Sequence, residues 1–126
     1  LVGKNFLIAE DNGINLDMLK ELLKEEGAAC DCAKNGMAAV DLFRHSKKGQ
    51  YDLIFMDVQM PDMDGYEATR AIRQMKHPDA KDIPIVAMTA NAFSNDVKAA
   101  FDCGMNAHLA KPVNIDRIKD IVANFT

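Results

Sequence analysis

No apolar run in this sequence approaches the roughly 18 residues that a helix needs to span a bilayer, so no membrane contact is expected. Basic clusters are equally scarce. Lys47-Lys48 is the only adjacent basic pair, and nineteen acidic against fifteen basic side chains leave a net charge of -4. That balance lacks the phosphate-backbone footprint of a nucleic-acid binder, so direct nucleic-acid binding is not expected. Cysteine is limited to Cys30, Cys32 and Cys103, an odd number in a chain without a secretory signal. A disulfide framework is therefore not expected, and a reducing, cytoplasmic setting is. Proline- or glycine-rich linkers and internal repeats are missing too, and 126 residues suit a single domain spanning residues 1–126. The chain opens on Leu1-Val2-Gly3-Lys4 without an initiator methionine, and the expectation is a domain cut from something longer.

What is present is an alternation of short apolar runs with helical patterns, repeated five times, which argues for βα units around a parallel sheet. The runs are Asn5 to Ala9, Ala28 to Ala33, Asp52 to Met56, Ile83 to Met88 and Ala107 to Ala110. Leu16, Leu19, Leu22 and Leu23 form a helical stripe that ends at Gly27, a natural residue for the turn after a helix. Asn35-Gly36 opens a second helix with Ala39, Leu42 and Phe43 on its inner face. Asp64 with Glu67 three residues later resembles a capping box, so a third helix is expected from Gly65 to about Gln74. A fourth is expected over Ser94 to Cys103, closed by Gly104, and a fifth from Asn114 with Ile115, Ile118, Val122 and Phe125 facing inward. Five strands and five helices fit an α/β, doubly wound sheet.

The informative polar residues stand where apolar strands finish. Glu10 and Asp11 follow the first strand, Asp57 ends the third, Thr89 the fourth and Lys111 the fifth. Open parallel sheets bind ligands outside the carboxyl ends of their strands, and in the order 2-1-3-4-5 the first and third strands flank the switch point. Three carboxylates gathered there repel one another unless a cation neutralises them. The donors are hard oxygens without adjacent His or Cys, which favours magnesium or manganese over zinc. Lys111 would add a fixed positive charge, so an anionic phosphoryl group would meet cationic charge on two sides. Asp57 is the natural nucleophile.

Four segments carry a family resemblance: Leu7-Ile8-Ala9-Glu10-Asp11-Asn12, Met56 to Gly65, Ala87-Met88-Thr89-Ala90, and Lys111-Pro112. In order and spacing they resemble the receiver domains of two-component response regulators, over essentially the whole chain. The resemblance implies a flavodoxin-like receiver fold with Asp57 as phosphoacceptor. It implies magnesium held by Glu10, Asp11, Asp57 and the backbone carbonyl of Gln59. It further implies that Thr89 hydrogen-bonds the phosphoryl group, that Lys111 pairs with Asp57 and later with phosphoryl oxygens, and that the Lys111-Pro112 bond is cis. Many relatives carry Asp where this chain has Glu10, and an aromatic residue where it has His108, the position of the family's rotating switch residue. The residues Glu10-Asp11-Asn12 with Asn15, Met56 to Arg73, and Ile83 to Phe93 resemble most closely the C-terminal receivers of hybrid sensor histidine kinases. The implied partners are a histidine kinase core and/or a histidine phosphotransfer protein. A relay partner must reach Asp57 over the pocket rim, where Ile14, Asn15 and Met18 with Pro112 nearby would offer its helix an apolar patch, the alternative being that Ile14 and Met18 belong to the core. The full-length chain would then tether the domain to a membrane-bound sensor.

Plainer roles compete at each position. Glu10 and Asp11 suit the start of a helix, where anions are favoured, and Thr89 suits a strand end. His45 and His77 are expected in solvent, and Cys30 and Cys32 as small core residues rather than metal ligands. Met60 and Met63 are expected to pack into the core or loop, with a partner surface as the alternative. Two other chemistries share part of the pattern. A flavodoxin-like mononucleotide binder cradles phosphate in a loop that two acids, Glu10 and Asp11, would make repulsive. An aspartate-nucleophile phosphatase places a second acid where Gln59 stands. A receiver that only binds partners is a third reading, set against the presence of the phosphorylation residues.

Overall fold

The computed structural model describes residues 1–90 and 94–126. Five strands, β1 (Asn5–Ala9), β2 (Ala29–Ala33), β3 (Leu53–Asp57), β4 (Ile85–Thr89) and β5 (Ala107–Ala110), form one parallel sheet in the order β2-β1-β3-β4-β5. The helices are α1 (Gly13–Glu25), α2 (Gly36–Arg44), α3 (Gly65–Gln74), α4 (Ser94–Cys103) and α5 (Ile115–Phe125). The α/β doubly wound architecture expected from the alternation is the one observed.

Strand alternation sorts the core into two layers. Phe6, Ile8, Leu53, Phe55, Val86, Met88 and Leu109 face α1 and α5, packing with Leu16, Leu19, Leu23, Ile118, Ile121 and Val122. Leu7, Ala9, Ile54, Met56, Ile85 and Ala87 face α2, α3 and α4, packing with Val40, Phe43, Ile72, Ala100 and Cys103. Strands covered on both faces read as continuous apolar runs, and all five residues of β3 and of β4 are buried. Each fully buried Leu or Ile contributes about 1.5–3 kcal/mol, so these central strands are the costliest places to introduce a polar group.

Caps fix where the helices begin and end. Asn12, Asn35, Asp64 and Asn114 each accept hydrogen bonds from backbone N–H groups of the first turn they precede, as Asp64 Oδ1 does from Glu67 N at 2.9 Å. Gly27 follows α1 at φ +85, where its N–H bonds Lys24 O and that of Ala28 bonds Leu23 O. A side chain there would be strained by that conformation, and its Cβ would also meet Val2.

Several expectations need correction. β3 runs one residue later than its apolar run, because Asp57 still pairs in register with Met88. β4 begins only at Ile85, since Pro84 has no N–H to donate, although its carbonyl accepts from Ile54 N. Phe125 is 39% exposed, and Ile121 takes the inward place instead. His77 is half-buried rather than free in solvent: its ring lies 4.3 Å from that of Phe43, Nε2 contacts Ser46 O at 2.9 Å, and Nδ1 accepts from Asp79 N. Met60 is buried and Met63 packs against the same core layer, which is the core packing expected of them and needs no correction. Asn91, Ala92 and Phe93, the end of one resembling segment, lie outside the described residues.

Candidate functional site

Sheet polarity decides where the polar residues meet. β1 pairs with β3 so that Ala9 lies beside Met56, which carries Glu10 to the level of Asp57 at the carboxyl edge. By strand alternation Glu10 and Asp57 share the α1/α5 side of the sheet. One carboxylate oxygen each from Glu10, Asp11 and Asp57 lies within 4.8 Å of the others. Glu10 and Asp57 are buried and Asp11 is exposed.

Lys111 enters from the residue after β5. Its Nζ stands 3.0 Å from Asp57 Oδ1 and 2.9 Å from Glu10 Oε2, so one ammonium serves two buried carboxylates. Its own N–H donates to Thr89 O at 2.8 Å, which ties the Lys111 backbone to the end of β4. The Lys111-Pro112 bond is cis, as the resemblance implied. Asp57 Oδ1 also accepts from Gln59 N at 3.2 Å, and Glu10 Oε1 accepts from Asn12 N at 3.2 Å. Glu10 Oε2 is different: it is buried and has the ammonium as a charged neighbour but no aligned hydrogen bond.

The close-set charges and burial shift both Asp57 and Lys111 upward. Burial is the largest influence on Asp57 and raises it; Lys111 and Gln59 N–H pull it down, while the Glu10 charge pushes it up again. The result is a carboxyl raised from 3.8 to about 6. Burial alone would lower Lys111, but Glu10 and Asp57 outweigh it and raise the ammonium above its ordinary value. The pocket is thus short of positive charge even with Lys111 in place.

The loop after β3 is shaped by Gly65. A Cβ there would stand 2.2 Å from Asp57 O and 2.9 Å from Val58 Cα, so no other residue lets α3 start against the strand that carries Asp57. Thr89 is buried at the end of β4, and His108 is half-buried on β5 beside Ala87 in register. Alternation puts Thr89 and His108 on the same side of the sheet, opposite Asp57. On the rim, Ile14 is 74% and Met18 51% exposed, so neither belongs to the core. A small cavity beside them, about 30 Å³, is lined by Glu10, Asn15, Met18, Leu19, Lys111 and Pro112 among others.

Of the residues singled out in the sequence, the fold brings Glu10, Asp11, Asp57 and Lys111 together. The sequence pattern missed the Glu10–Lys111 ion pair and the role of Asn12 N–H, for which the only signal was that Glu10 is longer than the Asp of many relatives.

A model of the response regulator receiver domain matches residues 6–123. Probable histidine kinase 2 of Oryza sativa subsp. indica is 39% identical over 97% of this chain, which covers 13% of that protein. Hybrid signal transduction histidine kinase L of Dictyostelium discoideum is 37% identical over 99% of this chain and 7% of its own length. The chain therefore spans only a small part of these curated relatives. Among solved structures, the receiver domain of a sensor histidine kinase from Pseudomonas aeruginosa PAO1 superposes with TM-score 0.86 at 33% identity, covering 98% of both chains. That structure has a magnesium ion coordinated in its active-site cleft. The receiver domain of a Saccharomyces cerevisiae response regulator, crystallised with a histidine phosphotransfer signalling protein, is also similar. There the TM-score is 0.83 at 33% identity over 97% of this chain and 88% of that one.

Proposed function

The chain belongs to the response regulator receiver domains of two-component systems, and on that premise we propose that it accepts a phosphoryl group on Asp57 from a phosphohistidine donor with magnesium bound beside it. The observation that carries the reading is a buried carboxylate, Asp57, with Lys111 Nζ at 3.0 Å and the acids Glu10 and Asp11 within 4.8 Å. The donor set fits a hard divalent cation: the side-chain ligands are carboxylates, and the buried Oε2 of Glu10 has no aligned hydrogen bond. Glu10, Asp11, Asp57 and the Gln59 carbonyl would hold the ion, magnesium by preference and manganese as an alternative. When bound it would supply charge neutralisation for the carboxylates and the incoming phosphoryl oxygens.

The rest is the work of the chain's own groups. An Asp57 carboxylate oxygen forms the new O–P bond as the N–P bond of the donor breaks, and the electron pair leaves with the imidazole. Lys111 meets the phosphoryl oxygens with its ammonium, and Thr89 donates its hydroxyl to one of them. His108, on the Thr89 side of β5, is the candidate for the residue that changes rotamer in response.

For the partner, the exposed Ile14 and Met18 with Asn15 and Pro112 offer an apolar rim beside the pocket that suits a helix of a histidine phosphotransfer protein. The preferred context is the receiver of a hybrid sensor histidine kinase, a domain cut from a longer chain and working in the cytoplasm. Among the described residues no helix is long and apolar enough to cross a membrane.

Incubation with a small phosphodonor such as acetyl phosphate and magnesium should add one phosphoryl group to the intact mass. Asp57→Asn should add none. An unchanged gain in Asp57→Asn, or none in the wild type, would overturn the assignment.

A further inference from the structure

The two oxygens of Glu10 have unequal surroundings. Oε1 is anchored by Asn12 N–H at 3.2 Å, whereas Oε2 is buried, has no aligned hydrogen bond and faces Lys111 Nζ at 2.9 Å. Lys111 in turn divides its ammonium between Glu10 and Asp57. With Oε1 held at the start of α1, the extra methylene of Glu relative to Asp is what carries Oε2 toward the far side of the pocket. An oxygen in that position is also the one more available to a cation, because turning to it costs the Lys111 contact but no backbone N–H bond, unlike Oε1 with Asn12 N–H.

We propose that Glu10 is a positioning residue that exchanges partners. In the metal-free domain Oε2 holds the Lys111 ammonium away from exclusive pairing with Asp57. When a divalent cation is held with Asp11 and Asp57, Oε2 turns to the cation and leaves Lys111 to Asp57 and its phosphoryl group. This rests on the reading of the site given above. Its consequence is that the cation and Lys111 act in sequence: the ammonium is released toward the reacting side only once the cation is in place. Two groups that compete for one carboxylate must weaken each other equally, so the competition is measurable from either side.

The test is a double-mutant cycle on magnesium affinity, read by isothermal titration calorimetry for wild type, Glu10→Asp, Lys111→Met and the double variant. Lys111→Met should tighten magnesium binding roughly tenfold where Glu10 is present, because the competitor is gone. In Glu10→Asp, whose shorter side chain cannot hold the ammonium, the same change should tighten it by no more than about threefold. Equal fold-changes in the two backgrounds would overturn the proposal, since they mean that Lys111 acts on the cation independently of Glu10. No magnesium binding by the wild type would instead overturn the reading of the site itself. If Lys111→Met does not fold, the wild type alone decides: the Lys111 ammonium signal in lysine-labelled NMR should shift on magnesium saturation, and an unmoved signal would overturn the exchange.

Discussion

Two aspartates bracket β3, and they lead different lives. Asp52, just before the strand, receives Asn5 N–H on Oδ2 at 2.8 Å while its own N–H bonds Asn5 O, closing the amino end of the β1–β3 pair. Asp57, at the other end of the same strand, is buried, shares Lys111 with Glu10, and has its carboxyl raised to about 6. Residue type and neighbouring strand are alike; the difference is which edge of the sheet each occupies. At the amino edge the acid completes a backbone pairing. At the carboxyl edge, where loops from separate strands converge, it is set against other charges.

The largest expected divergence is in chemistry. Lys111→Ala should slow phosphorylation of Asp57 by about tenfold to a hundredfold, since it removes the ammonium at the reacting oxygens, while Asp52→Asn should leave the rate unchanged. Stopped incubations with acetyl phosphate, followed by intact mass, would measure both. A slow Asp52→Asn would mean that the two ends of β3 are not independent.

A second divergence concerns stability in metal-free buffer. Because the Asp57 carboxyl is raised from 3.8 to about 6, the folded chain keeps a proton that the unfolded chain gives up in that range. Its contribution therefore favours the folded state at low pH and declines as pH rises from 3.8 to about 6. The decline should be on the order of 3 kcal/mol. Lys111 has the opposite character: its raised value adds stability below its ordinary pKa of 10.5, lost only as pH rises through the higher folded value. Asp57→Asn should thus be more stable than wild type near pH 7, with the pH slope flattened, as urea titrations across pH would reveal. Magnesium should recover much of the wild-type deficit by binding only the folded state.

The smallest effect belongs to the amino edge. Asp52→Ala leaves Asn5 N–H without its side-chain acceptor and should cost about 1–2 kcal/mol, with no change in magnesium affinity. Denaturant melts and calorimetry on one preparation would check both halves.

Some of this was legible in the chain alone. Strands and helices announce themselves within a few residues: β3 and β4 as unbroken apolar runs, α1 by its Leu16, Leu19 and Leu23 stripe, and α3 and α5 by the caps Asp64 and Asn114. The acids and the lysine stood out because each follows such a run. His77 illustrates the limit. Its sequence neighbours are polar, yet it stacks on Phe43 and bonds Ser46, both distant in the chain.

By itself, then, the sequence determined the element types, their order and the residues available at the strand ends, because periodicity and capping are satisfied by near neighbours. Only the tertiary structure decided which of those residues share charge. The order β2-β1-β3-β4-β5 brings Glu10 beside Asp57 and swings Lys111 across from β5, and burial then sets the Asp57 carboxyl. It likewise left Ile14 and Met18 outside while drawing Met60 in. These outcomes depend on distances between residues far apart in the chain, and in a low-dielectric pocket such distances fix the electrostatics.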